Sequence, residues 1–262
     1  MLSEIKKHLS GHPWRDKIQY FDSLASTNTY AKELAHQGAP EGTVIIADHQ
    51  TGGRGRLGRT FSSPAGMGIY LSVVLRPNCY PEELMHLTCA TGVAACNAVE
   101  TATGIVPKIK WTNDLVVGKR KLGGILTELS VNPVNRKVDW AVIGIGINCC
   151  QKSDDFPEEI QGIACSLGIN RQDMPPLFAA LIQSLAEMRR NLLTEKARTM
   201  AEFVQRCITI GCEISVLQSD NARHGKALDV DEDGGLVVQY DDGSIGTVSS
   251  GEVSIRGMYG YL

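Results

Sequence analysis

Apolar and polar positions alternate in a way that divides the chain into two unequal parts. Lys17 to Phe21 reads as extended, and Ser26-Thr27-Asn28 supplies side-chain oxygens suited to capping a helix. Tyr30, Ala31, Leu34 and Ala35 then share one face at helical spacing, and Gly38-Ala39-Pro40 supplies the stop. Thr43 to Ala47 and Ile69 to Leu75 are short apolar runs that predict buried strands, while Pro81 to Thr101 carries Leu84, Leu87, Ala94, Ala95, Ala98 and Val99 in the pattern of a helix packed on a sheet. Ile109 to Trp111, Leu115 to Val117 and Leu122 to Leu129 predict strands, the last two joined by a Gly118-Lys119-Arg120 turn. Val138 to Ile147 continues the sheet, and Pro176 to Ile208 predicts a helical stretch. The sum is an α/β (α+β) domain over 1–210, a mixed β-sheet with packed helices.

After Gly211 the rhythm changes to short β-like pieces, EISVL, GKALDV, LVVQY, GTVS and VSIR, separated by Asp, Gly and Asn turns. That is the pattern of a small β-barrel. Residues 211–262 are too few for a large core of their own, so this unit is expected to dock on the first domain.

The chain has 262 residues, 43% hydrophobic and 21% charged, which excludes disorder as the default. No stretch approaches the roughly 20 apolar residues of a membrane span, and the amino-terminal MLSEIKKHLSGHPWRDK has no apolar run of the secretory kind. The expectation is a soluble cytoplasmic protein without membrane association. The eight cysteines form no CxxC pair and have no nearby ligand histidines, so they are expected to be reduced, small and buried. A net charge of -3 argues against a general nucleic-acid binder but leaves room for a local basic patch.

Gly53-Arg54-Gly55-Arg56-Leu57-Gly58-Arg59-Thr60 is such a patch. It matches the GxGxxG dinucleotide fingerprint and nearly matches the phosphate loop GxxxxGK[ST]. Both need a helix opening from the glycines, and Pro64, Gly66 and Gly68 oppose one. An irregular, mobile loop is predicted. Glycines make such a loop entropically costly to order, while Arg54, Arg56 and Arg59 repel one another unless an anion arrives. Local physics therefore favours binding of a polyanionic ligand, with a solvated loop or RNA contact as the alternatives.

Five motifs together resemble the catalytic part of biotin protein ligases: Ser26-Thr27-Asn28; Gln50 through Arg59; Lys110-Trp111-Thr112-Asn113-Asp114; Arg120-Lys121-Leu122-Gly123-Gly124-Ile125-Leu126; and Gly144-Ile145-Gly146-Ile147-Asn148. The stretch from Gly225 through Asp231-Glu232-Asp233-Gly234 to Ser250-Gly251-Glu252-Val253-Ser254-Ile255-Arg256 resembles that family's SH3-like domain. Each motif alone is weak, but their order and combination are specific. Phe61 stands where the family commonly has tryptophan, Thr112 where it has proline and Gly52 where it has alanine. Family members that also repress transcription carry a winged helix before the ligase domain. Only 25 residues precede Ser26 here, and the expectation is no operator DNA binding.

The resemblance implies activation of biotin by ATP with Mg²⁺, then transfer to a lysine of a biotin carboxyl carrier protein domain of a carboxylase. It assigns Lys121 and Arg56 to catalysis, bridging the biotin carboxylate and the α-phosphate. Ser26, Thr27, Asn28, Gln50, Gly53, Arg54, Gly55, Arg56, Lys121 and Gly124 would surround biotin. Arg56, Arg59, Phe61, Asn113, Asp114, Lys121 and Asn148 would face ATP, with Phe61 stacking on adenine. No fixed protein metal site is predicted, the Mg²⁺ entering with ATP near Asp114. Homodimerisation is left open. Lipoate or octanoate transfer shares the family's architecture, and a non-enzymatic RNA-binding module is the alternative of a different class.

Overall fold

A computed structural model describes residues 1–218, 221–249, 252–255 and 258. The chain opens with α1 (Leu2–His8), then β1 (Ile18–Phe21), α2 (Thr27–His36), β2 (Val44–Ala47), β3 (Gly68–Leu75) and α3 (Leu87–Thr103). There follow β4 (Lys108–Lys110), β5 (Asp114–Val117), β6 (Arg120–Val131), β7 (Val138–Asn148), α4 (Met174–Asn191) and α5 (Lys196–Arg206). Seven strands form one mixed sheet in the order β1-β2-β3-β7-β6-β5-β4, parallel only between β1 and β2.

Both faces of this sheet are covered, which is why β3 is buried along its whole length and reads as an unbroken apolar run. Ile69, Leu71, Val73 and Leu75 of β3, with Ala141, Ile143, Ile145 and Ile147 of β7, face the main core shared with α3 and α4. The alternate residues Val74, Trp140 and Val142 meet Ala31 and Ala35 of α2 on the other side. Ser26 caps α2, its Oγ accepting from Thr29 N at 3.4 Å. The α2 side is where β6 and β7 lose their side chains, at Gly124, Gly144 and Gly146.

Two sequence expectations need correction. The helical stretch from Pro176 to Ile208 is two helices, because Thr194 N and Glu195 N both turn back to Asn191 O and end α4. The arginine-glycine segment is a narrow hairpin rather than an irregular loop. Gly55 N donates to Arg59 O at 2.7 Å and Phe61 N to Gly53 O at 2.9 Å. Leu57 (φ 55°) and Gly58 (φ 75°) take left-handed conformations in a 3₁₀ turn at its tip. No helix follows the glycines, so neither nucleotide-loop motif has its required context.

The carboxy-terminal part is a second, antiparallel sheet of five strands in the order β11-β10-β9-β8-β12. These are β8 (Glu213–Gln218), β9 (Asn221–Val230), β10 (Leu236–Tyr240), β11 (Ile245–Val248) and β12 (Glu252–Ile255). Ile214, Val216, Ala227, Leu236, Val238 and Val253 continue the core of the first sheet without interruption. Ser250, Gly251 and Arg256, which carry part of the sequence resemblance, lie outside the described residues. Among the described residues no helix is long and apolar enough to cross a membrane.

Candidate active site

The three strand glycines leave a cavity of about 160 Å³ on the α2 side of the large sheet. Its wall includes Ser26, Thr27, Asn28, Gln50, Arg54, Gly55, Arg56, Arg59, Phe61, Asn113, Asp114, Lys121 and Gly124, all of them singled out from the sequence. Two of the singled-out residues lie outside the lining, Gly53 and Asn148. Gly53 is buried against Phe61 O and Ser63 Oγ, where no side chain fits.

Asn148, expected on the nucleotide side, is bonded to neighbouring segments of the chain. Its Nδ2 donates to Cys165 O at 3.1 Å, and its Oδ1 accepts from Gln151 Nε2 at 3.3 Å. The segment it holds pins Lys121 in turn: Lys121 N donates to Ile163 O at 2.7 Å, and Lys121 O accepts from Cys165 N at 2.8 Å.

Lys121 reaches the cleft through a register irregularity. Along β6, strict alternation from Gly124 would turn residue 121 to the opposite face. The pairing of β5 with β6 shifts between Leu115 and Val116, so that Lys121 opposes Val116 and Gly123 opposes Leu115. One extra residue is thus accommodated, Leu122 enters the core, and Lys121 points into the cavity beside Gly124. There its Nζ lies 2.7 Å from Asp114 Oδ1.

Arg56 comes from the hairpin tip and donates from a guanidinium nitrogen to Asn113 Oδ1 at 2.9 Å. Asn113 is held by β6, its N–H₂ donating to Ile125 O at 3.2 Å and its own carbonyl accepting from Ile125 N at 2.9 Å. Asn113 and Asp114 thus each grip one cation. Among the described residues that line the cavity, Arg54, Arg56, Arg59, Lys110 and Lys121 stand beside one carboxylate, that of Asp114. This imbalance is what two repelling anionic reactants need. Among the described residues no three or more His, Cys, Asp or Glu are grouped to hold a metal.

At the other end the wall is neutral and polar. Gln50 Oε1 accepts from Thr27 N at 2.8 Å, and Gln50 Nε2 donates to Ser63 Oγ at 3.0 Å, so this amide is built into the site rather than displayed on the surface. Phe61 lies over Gly146, where a Cβ would strike its ring, and meets Tyr70 edge-on at 6.4 Å.

Several lining residues escaped the sequence reading. Lys110 is buried and donates from Nζ to Val253 O of β12 at 2.9 Å, while Trp111 Nε1 donates to Gly234 O at 2.8 Å. Both tie the cavity wall to the second sheet, and Val253 itself lines the cavity. Gly144 and Gly146 were visible as glycines spaced by two within a strand, a signal of close approach to one face.

Fold and site together define an enzyme built to bring anions together over a cationic floor. Residues 20–148 match the biotin/lipoate A/B protein ligase family, and residues 209–256 match the biotin protein ligase C terminal domain. The bifunctional ligase/repressor BirA of Bacillus subtilis is 34% identical over 245 residues, covering 92% of this chain and 75% of that protein. The biotin--[acetyl-CoA-carboxylase] ligase of Mycobacterium tuberculosis is 30% identical over 253 residues, covering 93% and 90%. The solved biotin protein ligase of Aquifex aeolicus in complex with biotin and ATP superposes with a TM-score of 0.71 at 29% identity, over 91% of this chain and 98% of that one. The chain belongs to the biotin/lipoate A/B protein ligase family and, within it, to the biotin protein ligases.

Proposed function

We propose that this chain joins biotin to protein in two steps. A biotin carboxylate oxygen attacks the α-phosphorus of ATP, the bond to pyrophosphate breaks, and biotinyl-5'-AMP forms. The ε-amine of an acceptor lysine then attacks the acyl carbon, AMP leaves with the bonding electrons, and the amine loses its proton as the amide forms. The acceptor is a biotin carboxyl carrier domain of a carboxylase, and the compartment is the cytoplasm, where ATP and that acceptor meet.

The observation that carries this reading is the pairing of Lys121 and Arg56 in one cavity with a neutral polar wall at its far end. Lys121 exchanges Asp114 for the incoming carboxylate and α-phosphate, and its compact charge suits geometry that changes along the reaction. Arg56 offers a guanidinium fork to the same oxygens, and Arg59 binds the phosphates. A charge pair a few Å apart at an effective dielectric near 20 is worth on the order of 4 kcal/mol, so two or three such contacts supply much of the needed stabilisation. Mg²⁺ enters on the phosphates of ATP. Ser26, Thr27, Asn28 and Gln50 surround the ureido ring, and the hairpin carrying Arg54 and Arg56 closes over biotin to exclude water from the adenylate. Phe61 stacks on adenine.

Incubation of the chain with ATP, Mg²⁺, a carrier domain and either biotin or lipoate tests the reading. Pyrophosphate release and a mass gain of one biotinyl group on the acceptor are expected with biotin only. Turnover with lipoate and none with biotin would overturn it.

A further inference from the structure

Four strands of the large sheet each bring one residue into a single row across the cavity floor. Gly146 of β7 opposes Gly124 of β6, Gly124 opposes Asp114 of β5, and Asp114 opposes Lys110 of β4. Directly opposed residues of an antiparallel sheet share a face, and all four line the cavity. Adjacent strands lie roughly 4.8 Å apart, so the row spans about 14 Å, with Phe61 over Gly146 at one end and Lys110 at the other.

The reacting phosphorus has a fixed place along this row. Lys121, over Gly124, and Asp114 occupy its middle, Lys121 Nζ lying 2.7 Å from Asp114 Oδ1. In the biotin ligase reading on which this inference rests, adenine stacks on Phe61 and biotin enters past Asn28 over Gly144, so both approach from β7. A phosphoryl group is displaced in line, with the entering and leaving oxygens on opposite sides of phosphorus. The carboxylate oxygen arrives from the β7 side, and the bond that breaks therefore points toward β4. Its electron pair leaves with the bridging oxygen, and the charge of pyrophosphate gathers over Lys110.

We infer that Lys110 is a catalytic residue of the adenylation step alone, its ammonium stabilising the pyrophosphate that departs from ATP. Lys110 is buried, and its Nζ donates to Val253 O of β12 at 2.9 Å. An ammonium carries three donors, so meeting a phosphate oxygen does not require surrender of the Val253 bond. A carbonyl orients the ammonium without neutralising it, and burial limits screening of its charge by water. The cation is thus in place before the leaving group forms. The transfer step makes no such demand. Its leaving group is AMP, whose one phosphate lies over the middle of the row, and pyrophosphate has already gone.

The test measures the two half-reactions separately on the full chain and its Lys110→Gln variant, in which glutamine keeps a donor for Val253 O without the charge. Adenylation is read as biotinyl-5'-AMP formed from biotin and ATP with Mg²⁺, and transfer as biotinylation of a carrier domain by biotinyl-5'-AMP supplied ready-made. Lys110→Gln is expected to slow adenylation about a hundredfold and to weaken product inhibition by pyrophosphate about tenfold, with the rate of transfer within about twofold of the parent. Equal losses in both half-reactions would show that Lys110 serves only the docking of the second sheet. Unchanged adenylation, or unchanged inhibition by pyrophosphate, would also overturn the inference, and all three results leave the ligase reading intact. A parent chain inert with biotin in both assays would remove both. Should Lys110→Gln fail to fold, Lys110→Met removes the same charge with a side chain of similar length, and the same split or its absence decides.

Discussion

Lys121 and Asp114 meet across β5 and β6, Nζ to Oδ1 at 2.7 Å, because the register shift between Leu115 and Val116 turns Lys121 toward the cleft. Replacing Lys121 by alanine removes a cation from the floor but no apolar contact from the core. Lys121→Ala is expected to keep its circular dichroism spectrum and to lose about two to three orders of magnitude in adenylate formation, measured as pyrophosphate release. Near-parent turnover would remove Lys121 from catalysis.

Arg56 links the hairpin tip to Asn113 in the turn between β4 and β5. Without that link the cover over the cavity loosens, and a mixed anhydride exposed to water or stray amines is lost. Arg56→Ala is expected to release free biotinyl-5'-AMP at least several-fold faster and to label bystander lysines, both read by mass spectrometry. Unchanged release would refute the gating role.

The glycines of β7 separate the two ends of the cavity. A Cβ on Gly144 would collide with buried Asn28 Oδ1, and one on Gly146 with the ring of Phe61. Gly144→Ala should raise the KM for biotin about tenfold or more with little effect on ATP, and Gly146→Ala should do the reverse. Identical kinetic changes in the two variants would contradict this division.

His86 is buried with Nε2 donating to Leu192 O at 2.9 Å and Nδ1 left without a partner among the described residues. Burial pushes its pKa down from the ordinary 6.5, against the opposing pull of the Leu192 carbonyl. A depressed histidine stabilises the fold fully above its unfolded pKa, and that stability is lost as pH falls toward the folded one. The melting temperature is therefore expected to fall from pH 7 to pH 5. His86→Gln, which keeps a donor for Leu192 and does not titrate, should flatten the slope. His12, likewise depressed by burial, leaves a residual dependence.

Trp111 Nε1 donates to Gly234 O between the two sheets. Trp111→Phe strands that buried carbonyl at a cost of about 1–3 kcal/mol. A drop of roughly 3 to 8 °C in Tm is expected from calorimetry, and an unchanged Tm would show that the sheets dock without this bond.

Much of the site was legible in the sequence because its chemistry is written in residue types that local structure cannot absorb. Three arginines among glycines, an Asn-Asp pair after a short strand and a lysine after a hairpin turn are gathered by one cavity. The surroundings of Asn148 were not legible, because its motif ends a strand. Whether an amide there faces a cavity or a neighbouring segment depends on residues 149–168, whose course carries no periodicity.

The sequence by itself determined the two sheets, the helix capped at Ser26, the Gly118 turn and the family, since periodicity and turn chemistry act over a few residues. Only the tertiary structure decided that Lys121 faces Asp114, that Asn148 serves the strap behind it, and that Lys110 and Trp111 answer to the second sheet. Those outcomes follow from strand register and inter-sheet contact between residues far apart in the chain, which no local pattern encodes.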